Sequence, residues 1–240
     1  MKTWQVPGIH SVLEAIKCRP SELQFVALKT GYDKTHKLKE IAAIAKSKQI
    51  EIREWNPKKL DAITSGHQGV LAEVKAGVEP ELKELFNQES ALVLILDGIE
   101  DSQNLGSILR SSWLMEVDCV IVPKDRSVKL NPTAIKIASG GAEHVPVLVV
   151  NHIPSLIKDF KENGFWTAGL AEGGDKNLWD WEPHQKTLLV TGSEDKGIRK
   201  PVKAECDDIL EIWQTVGGSS YNAGVATALA LNEYVRKFKS

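Results

Sequence analysis

Residues 91–96 read ALVLIL, an apolar run without a break, and they stop at Asp97-Gly98. A strand with one wet face alternates in polarity. An unbroken run marks a parallel strand covered on both faces. Runs of the same kind recur at DCVIVP (118–123), VPVLVV (145–150), FWTAGLA (165–171), TLLVTG (187–192) and DILEIW (208–213). Helical patterns separate most of them, and a last helix is predicted from about Asn222 to Phe238. Repeating βα units of this kind predict an α/β domain with a mainly parallel sheet over 91–240.

The front of the chain has a different rhythm. Ile9, Leu13 and Ile16 are spaced for one face of a helix that starts after Gly8. FVAL (25–28) reads as a short strand, and Leu38, Ile41, Ile44 and Ala45 form a second helical stripe. Ile50 and Ile52 alternate like a strand, and Val70–Val74 follows the loop Ser65-Gly66-His67-Gln68-Gly69. The expectation is a compact αβαβ domain over 1–76. A linker over 77–90 follows, with one short amphipathic helix from Pro80 to about Gln88.

Charge separates these parts. The 240 residues carry a net charge of −2, which excludes a uniformly basic nucleic-acid coat. Up to Pro80 there are 13 lysines and arginines against 9 acids, a net of +4; the rest carries 17 against 23, a net of −6. A polyanion is therefore expected to meet the front domain. Cys18, Cys119 and Cys206 are widely spaced and odd in number, which predicts free thiols in a reducing compartment. No CxxC, HExxH or Cys/His cluster occurs in the sequence, so no metal site is expected. No signal-type apolar core opens the chain, and no apolar run approaches 18 residues. A soluble cytoplasmic protein without a membrane segment is expected.

Ligands of parallel sheets bind in loops beyond the carboxyl ends of the strands. Three such loops are rich in polar residues and glycine: Asp97–Ser107, leading into a helix that carries Arg110; Thr191–Ile198; and Val216–Gly224. Singly, each has an ordinary explanation. Asn104, Ser107, Ser220 and Asn222 suit helix caps, and Gly192 and Gly197 suit turns. The second loop is not a phosphate loop, because its GxxxxG is followed by Ile198-Arg199 rather than Lys and Ser or Thr. A dinucleotide GxGxxG after the first strand is also absent.

In combination and order, the segments LDGIEDSQNLGSILRSS (96–112), TGSEDKGI (191–198) and SSYNAGVATALALNEYVR (219–236) resemble the SpoU-type branch of the SPOUT RNA methyltransferases. VPKDRSVKLNPTAIKIASGGAEHVPV (122–147) is similar too. VPGIHSVLEAI (6–16) and SGHQGVLAEV (65–74) resemble the small α/β RNA-binding front domain of the subgroup acting on large-subunit ribosomal RNA. The resemblance implies a SPOUT domain tied in a deep trefoil knot, S-adenosylmethionine bound in the knotted loops, and a homodimer with its pocket between two knots. True knots are nearly absent from proteins, so composition alone never leads there.

The implied reaction transfers a methyl group to a ribose 2′-hydroxyl of RNA, most naturally a guanosine in a loop of 23S-type ribosomal RNA. Arg110 takes the central place. A guanidinium is fixed as a cation, so its expected role is to clamp a substrate phosphate and stabilise an oxyanion. Asn104 orients the first loop; Glu194 holds Arg110 or the ribose; Ser220 and Asn222 form the Ser-x-Asn pair of the third motif. For the cofactor, the resemblance implies main-chain recognition around Thr191 and Gly192, with Ile212 and Tyr221 flanking adenosine and Gln214 and Leu170 nearby. Lys124 and Arg126 are candidate phosphate contacts. Glu143 is a candidate for holding the RNA or the dimer, and His67 and Gln68 for reaching a base.

The third motif departs from the family pattern. Ile212-Trp213-Gln214 stands where Ile-Pro-Met is usual, Val216 replaces a glycine, and Tyr221 replaces a leucine. Asn-Val-Ser-Val-Ala becomes Asn222-Ala223-Gly224-Val225-Ala226. Altered cofactor affinity is the expected consequence. Two other readings compete: a tRNA ribose methyltransferase, and a non-catalytic RNA-binding or ribosome-assembly factor.

Overall fold

The computed structural model describes residues 3–75 and 81–238, and they fall into two compact units. The first unit comprises residues up to 78 together with 129–144; the second comprises 79–128 and 145–240.

The first unit opens with strand β1 (Thr3–Pro7), then helix α1 (Ile9–Cys18), β2 (Leu23–Lys29), α2 (His36–Ser47), β3 (Glu51–Trp55), α3 (Pro57–Asp61) and β4 (Val70–Lys75). The four strands form one sheet in the order β1-β4-β2-β3. Strand β1 is an addition to the expected αβαβ pattern. Its sequence TWQVP is short and half polar because it is an edge strand, paired antiparallel with β4 from Thr3–Lys75 to Pro7–Leu71. Proline is tolerated at such an edge. The buried face of α1 is also rotated from the expected one: Ser11, Val12, Ala15 and Ile16 are buried, while Ile9 and Leu13 are half-buried. Helices α6 (Pro132–Ala138) and α7 (Gly141–His144) belong to this unit, and Ser11 Oγ donates to the Ile135 carbonyl at 3.2 Å.

The second unit contains α4 (Leu82–Phe86), β5 (Ala91–Asp97), α5 (Ser102–Leu114), β6 (Cys119–Pro123), β7 (Val147–Val150), α8 (Ile153–Glu162) and β8 (Trp166–Leu170). It continues with β9 (Lys176–Asn177), β10 (Lys186–Gly192), α9 (Lys200–Lys203), β11 (Asp208–Glu211) and α10 (Ala223–Phe238). The predicted start of α4 at Pro80 lies outside the described residues. The seven strands form one parallel sheet in the order β7-β6-β5-β10-β8-β11-β9. Every residue of β5 is buried, as its unbroken apolar run requires.

Strand order reverses at β5: the chain winds outward through β6 and β7, then returns to β8 and β10 on the other side. In open α/β sheets this switch point is where ligands bind. Two local differences from expectation lie farther along the sheet, beyond β10 and β8. Strand β11 ends at Glu211, so Ile212 and Trp213 leave the sheet; the two-residue β9 is too short to leave a periodic signal.

Candidate functional site

The first and second loops follow the neighbouring strands β5 and β10, and the third leads into α10. Asp97, at the end of β5, is buried and ties the first two loops together. Its Oδ1 accepts from Arg199 Nε at 2.7 Å, and its Oδ2 accepts from the Arg199 backbone N–H at 2.9 Å. Nothing in the sequence pairs these two residues. The only signal is an acid terminating an apolar run.

Asp101 caps α5 by accepting from the Gln103 N–H at 2.8 Å. Asn104 is therefore not the cap. It is buried in the first turns of α5, and its Nδ2 donates to Glu194 Oε1 at 3.0 Å. Asn222 Nδ2 donates to Asn104 Oδ1 at 2.8 Å and also to Glu194 Oε1. The same Glu194 oxygen accepts from the Ala223 N–H at 3.3 Å. Asn222 Oδ1 receives the Gly224 and Val225 N–H groups at 3.0 and 3.3 Å, capping α10. Asn104, Glu194 and Asn222 thus join all three loops.

Beside this cluster lies a cavity of about 730 Å³. It is lined by the ends of β8, β10 and β11 and by the second and third loops. Thr191, Gly192, Ile212, Gln214, Tyr221, Leu170, Ser220 and Glu194 all border it. The Thr191 hydroxyl lies 3.1 Å from the Thr227 hydroxyl, so its side chain is spent on holding α10. A Cβ on Gly192 would lie 2.0 Å from the Gly197 carbonyl carbon. The glycine is required by the loop folding back on itself, where Ser193 bridges Gly197, rather than by the ligand alone. A smaller cavity of about 220 Å³ shares Asn104 and Glu194 and is bordered by Gly98–Asp101.

The altered third motif is at the rim. Ile212 and Gln214 line the cavity while Trp213 between them is 54% exposed and leans on Trp179, ring centroids 5.9 Å apart. The Tyr221 hydroxyl donates to the Trp213 carbonyl at 3.5 Å.

Several expected site residues stand elsewhere. Within one chain, Glu194 meets Asn104 and Asn222 rather than Arg110. Arg110 is exposed on α5, borders neither cavity, and has no hydrogen-bond or ion-pair partner among the described residues. Lys124 and Arg126 are exposed after β6. Glu143 cannot meet RNA from where it sits: its side chain is 1% exposed and paired with Arg19, whose Nε donates to Oε2 at 2.7 Å. Burial pushes the Glu143 carboxyl above the usual glutamate range, against the pull of the guanidinium. His67 is buried as well. Its Nδ1 accepts from the Gly69 N–H at 2.9 Å and its Nε2 faces Asp61 at 3.0 Å, so both nitrogens shape the loop. Gln68 is exposed, but its Oε1 accepts from the first N–H of α1, that of Ile9, at 3.0 Å.

The chain matches two family models. Residues 91–232 match the SpoU rRNA Methylase family, and residues 5–78 match the RNA 2′-O ribose methyltransferase substrate binding family. The chain is 36% identical over 236 residues to the 23S rRNA (guanosine-2′-O-)-methyltransferase RlmB of Escherichia coli strain K12, covering 96% of this chain and 97% of that one. It is 34% identical to RlmB of Xanthomonas campestris, covering 97% and 96%. Its fold is similar to the solved structure of the SpoU methyltransferase AviRb from Streptomyces viridochromogenes in complex with AdoMet. The TM-score is 0.83 at 20% identity, over 98% of this chain and 90% of that one. The chain belongs to the SpoU rRNA methylase family, with the family's RNA substrate-binding domain at its front.

Proposed function

We propose that this protein transfers a methyl group from S-adenosylmethionine to the ribose 2′-oxygen of a guanosine in 23S ribosomal RNA. The observation that carries this reading is the Asn104–Glu194–Asn222 cluster, which joins three family motifs at the edge of the large cavity. The cofactor fits the residues present. A cavity of about 730 Å³ falls in the range of small-molecule sites, roughly 300–1,000 Å³. Leu170, Ile212 and Ala223 offer apolar surface for an adenine ring, and Glu172, Glu194 and Glu211 offer carboxylates to a cation and to ribose hydroxyls. When bound, S-adenosylmethionine supplies a methyl group on a positively charged sulfur.

The chain's own groups do the rest. Glu194 and the two asparagines hold the loops in register, so that the nucleophile arrives in line. Ser220 borders the cavity, and with Asn222 it binds the loop backbone and the ribose. Arg110 clamps a phosphate of the target nucleotide and stabilises charge growing on the 2′-oxygen. A planar fork suits that task; an ammonium does not. Lys124 and Arg126 extend the phosphate track, and the basic front domain selects the RNA.

Arg110 stands outside both cavities, so the reading includes a second copy of the chain. On α5, Leu114 lies one turn beyond Arg110 and is 69% exposed. On α10, which packs on α5, Val225 and Leu229 are exposed one turn apart. Apolar surface around a lone cation supports a homodimer in which Arg110 of one copy completes the site of the other. The deep trefoil knot and a cytoplasmic location belong to the same reading. Among the described residues, no helix is long and apolar enough to cross a membrane.

The test is single-turnover methylation of 23S rRNA at saturating cofactor. Arg110→Ala is expected to slow the reaction roughly 10²–10³-fold, the size of losing one oxyanion donor. Arg110→Lys should recover little, and cofactor affinity should barely change in either variant. Wild-type rates in Arg110→Ala would remove Arg110 from the mechanism.

A further inference from the structure

The first unit holds a group of chemistry-bearing side chains that the methylation site does not use. Glu14 and Cys18 are four residues apart on α1 and therefore share a face. His144, the last residue of α7, meets them there. Its Nε2 lies 3.4 Å from Cys18 Sγ and 2.9 Å from Glu14 Oε2. All three potential ligand atoms lie within 4.8 Å of one another. A tetrahedral zinc ion, with bonds of roughly 2.3 Å to sulfur and 2.0–2.2 Å to nitrogen or oxygen, holds its ligand atoms about 3.3–3.6 Å apart. The sulfur–nitrogen spacing already meets that requirement, and the nitrogen–oxygen spacing meets it after a small opening.

We propose that Glu14, Cys18 and His144 form a binding site for one zinc ion, with water in the fourth position. The donor set selects the metal: a thiolate and an imidazole favour zinc over magnesium or calcium, which take oxygen. Glu14 is oriented for the role, because Lys17 Nζ holds its Oε1 at 2.7 Å and leaves Oε2 facing His144. A thiolate and a carboxylate together balance the charge of the ion. Cys18 and His144 are exposed, so the ion enters from solvent without any rearrangement of the core.

The site has a structural consequence. Arg19 and Glu143, the next residue after Cys18 and the residue before His144, already pair across the same two segments. Zinc adds a second clasp beside that ion pair and fixes α7 on the end of α1. The ligands are 126 residues apart in the chain at the Cys18–His144 contact, so no local spacing motif could have announced them.

The experiment is a titration of the tag-free, full-length protein with Co²⁺ as a spectroscopic probe, followed by displacement with Zn²⁺. The expected result is a single saturable site with a sulfur-to-cobalt charge-transfer band, bleached by zinc, and a melting temperature raised by zinc. Cys18→Ser should abolish the band. His144→Ala and Glu14→Gln should each weaken zinc binding about tenfold or more, at least the range by which a lost supporting partner weakens a metal site. Cys119 is buried and Cys206 half-buried, both in the second unit, so Cys206→Ser should keep the band. Circular dichroism confirms that each variant is folded. No band in the wild type, a band that survives Cys18→Ser, or equal zinc affinity in the wild type and all three ligand variants would overturn the site.

Discussion

Asn104 and Asn222 are 118 residues apart in the chain, yet the amide of Asn222 donates to the amide oxygen of Asn104 at 2.8 Å. Both amides turn their remaining capacity to Glu194. Asn222 is doubly constrained: its oxygen caps α10, so its nitrogen must face the carboxylate. Neither amide can flip without losing a partner. One short cluster therefore ties the third loop to the first two, which the Asp97–Arg199 contacts already hold together.

Asn222→Asp tests that constraint. The oxygen cap survives, but a second carboxylate now faces Glu194. Losing a charge-assisted hydrogen bond of about 1.5 kcal/mol corresponds to about a tenfold loss, and repulsion adds to it. Turnover should therefore fall at least about tenfold. Glu194→Gln in the same chain restores a donor opposite the new acid, so the double variant should recover part of the loss. A double-mutant cycle on single-turnover rates measures the coupling; additive effects would contradict the cluster.

The second loop gives a contrast between two glycines. A side chain on Gly192 meets Gly197 backbone atoms at 2.0–2.3 Å, whereas one on Gly197 meets nothing within 4 Å. Gly197 does have φ +62°, so alanine there costs about 1–2 kcal/mol of backbone strain. Calorimetry with S-adenosylmethionine should show binding lost in Gly192→Ala and largely kept in Gly197→Ala. Equal losses would mean that the fold-back of the loop does not shape the cavity.

Mixing two inactive variants tests the shared site. If Arg110 and Glu194 act from different copies, a dimer of one Arg110→Ala chain and one Glu194→Ala chain contains one intact site. Activity should then return on mixing after subunit exchange. If both residues act within one copy, each site keeps one defect and the mixture stays inactive.

Glu143 carries a pH signature. Burial raises its pKa in the folded protein above that of the unfolded chain. The folded state then binds the proton more tightly, so the protonated form contributes stability that is present below the ordinary glutamate pKa. That contribution is lost as pH rises through the raised value. Glu143→Gln imitates the protonated acid. The melting temperature of the variant relative to wild type should therefore climb across this window, and a pH-independent difference would contradict the burial argument.

Much of this was legible in the sequence, for physical reasons that differ by residue. Strands β5, β6, β8 and β10 announce themselves because burial on both faces demands unbroken apolar runs. Strand β1 does not, since an edge strand needs neither alternation nor bulk. The polar residues of the three loops were legible as a set, because glycines and short polar side chains crowd at strand ends only where backbone must turn sharply. Their partners were not. That Glu194 binds two asparagines rather than Arg110, and that Glu143 and His67 are buried, depends on packing between distant segments. An acid or a histidine in a polar stretch reads the same whether it faces solvent or Arg19.

The proposed activity is defined by the chemical position of the transferred methyl group. The direct measurement is mass analysis of nucleosides from unmodified 23S rRNA after incubation with the protein and isotopically labelled S-adenosylmethionine. The expected result is label in 2′-O-methylguanosine at a single nucleotide, absent when tRNA replaces the substrate. Label on a base, or no transfer to 23S rRNA by protein that binds the cofactor, would contradict it.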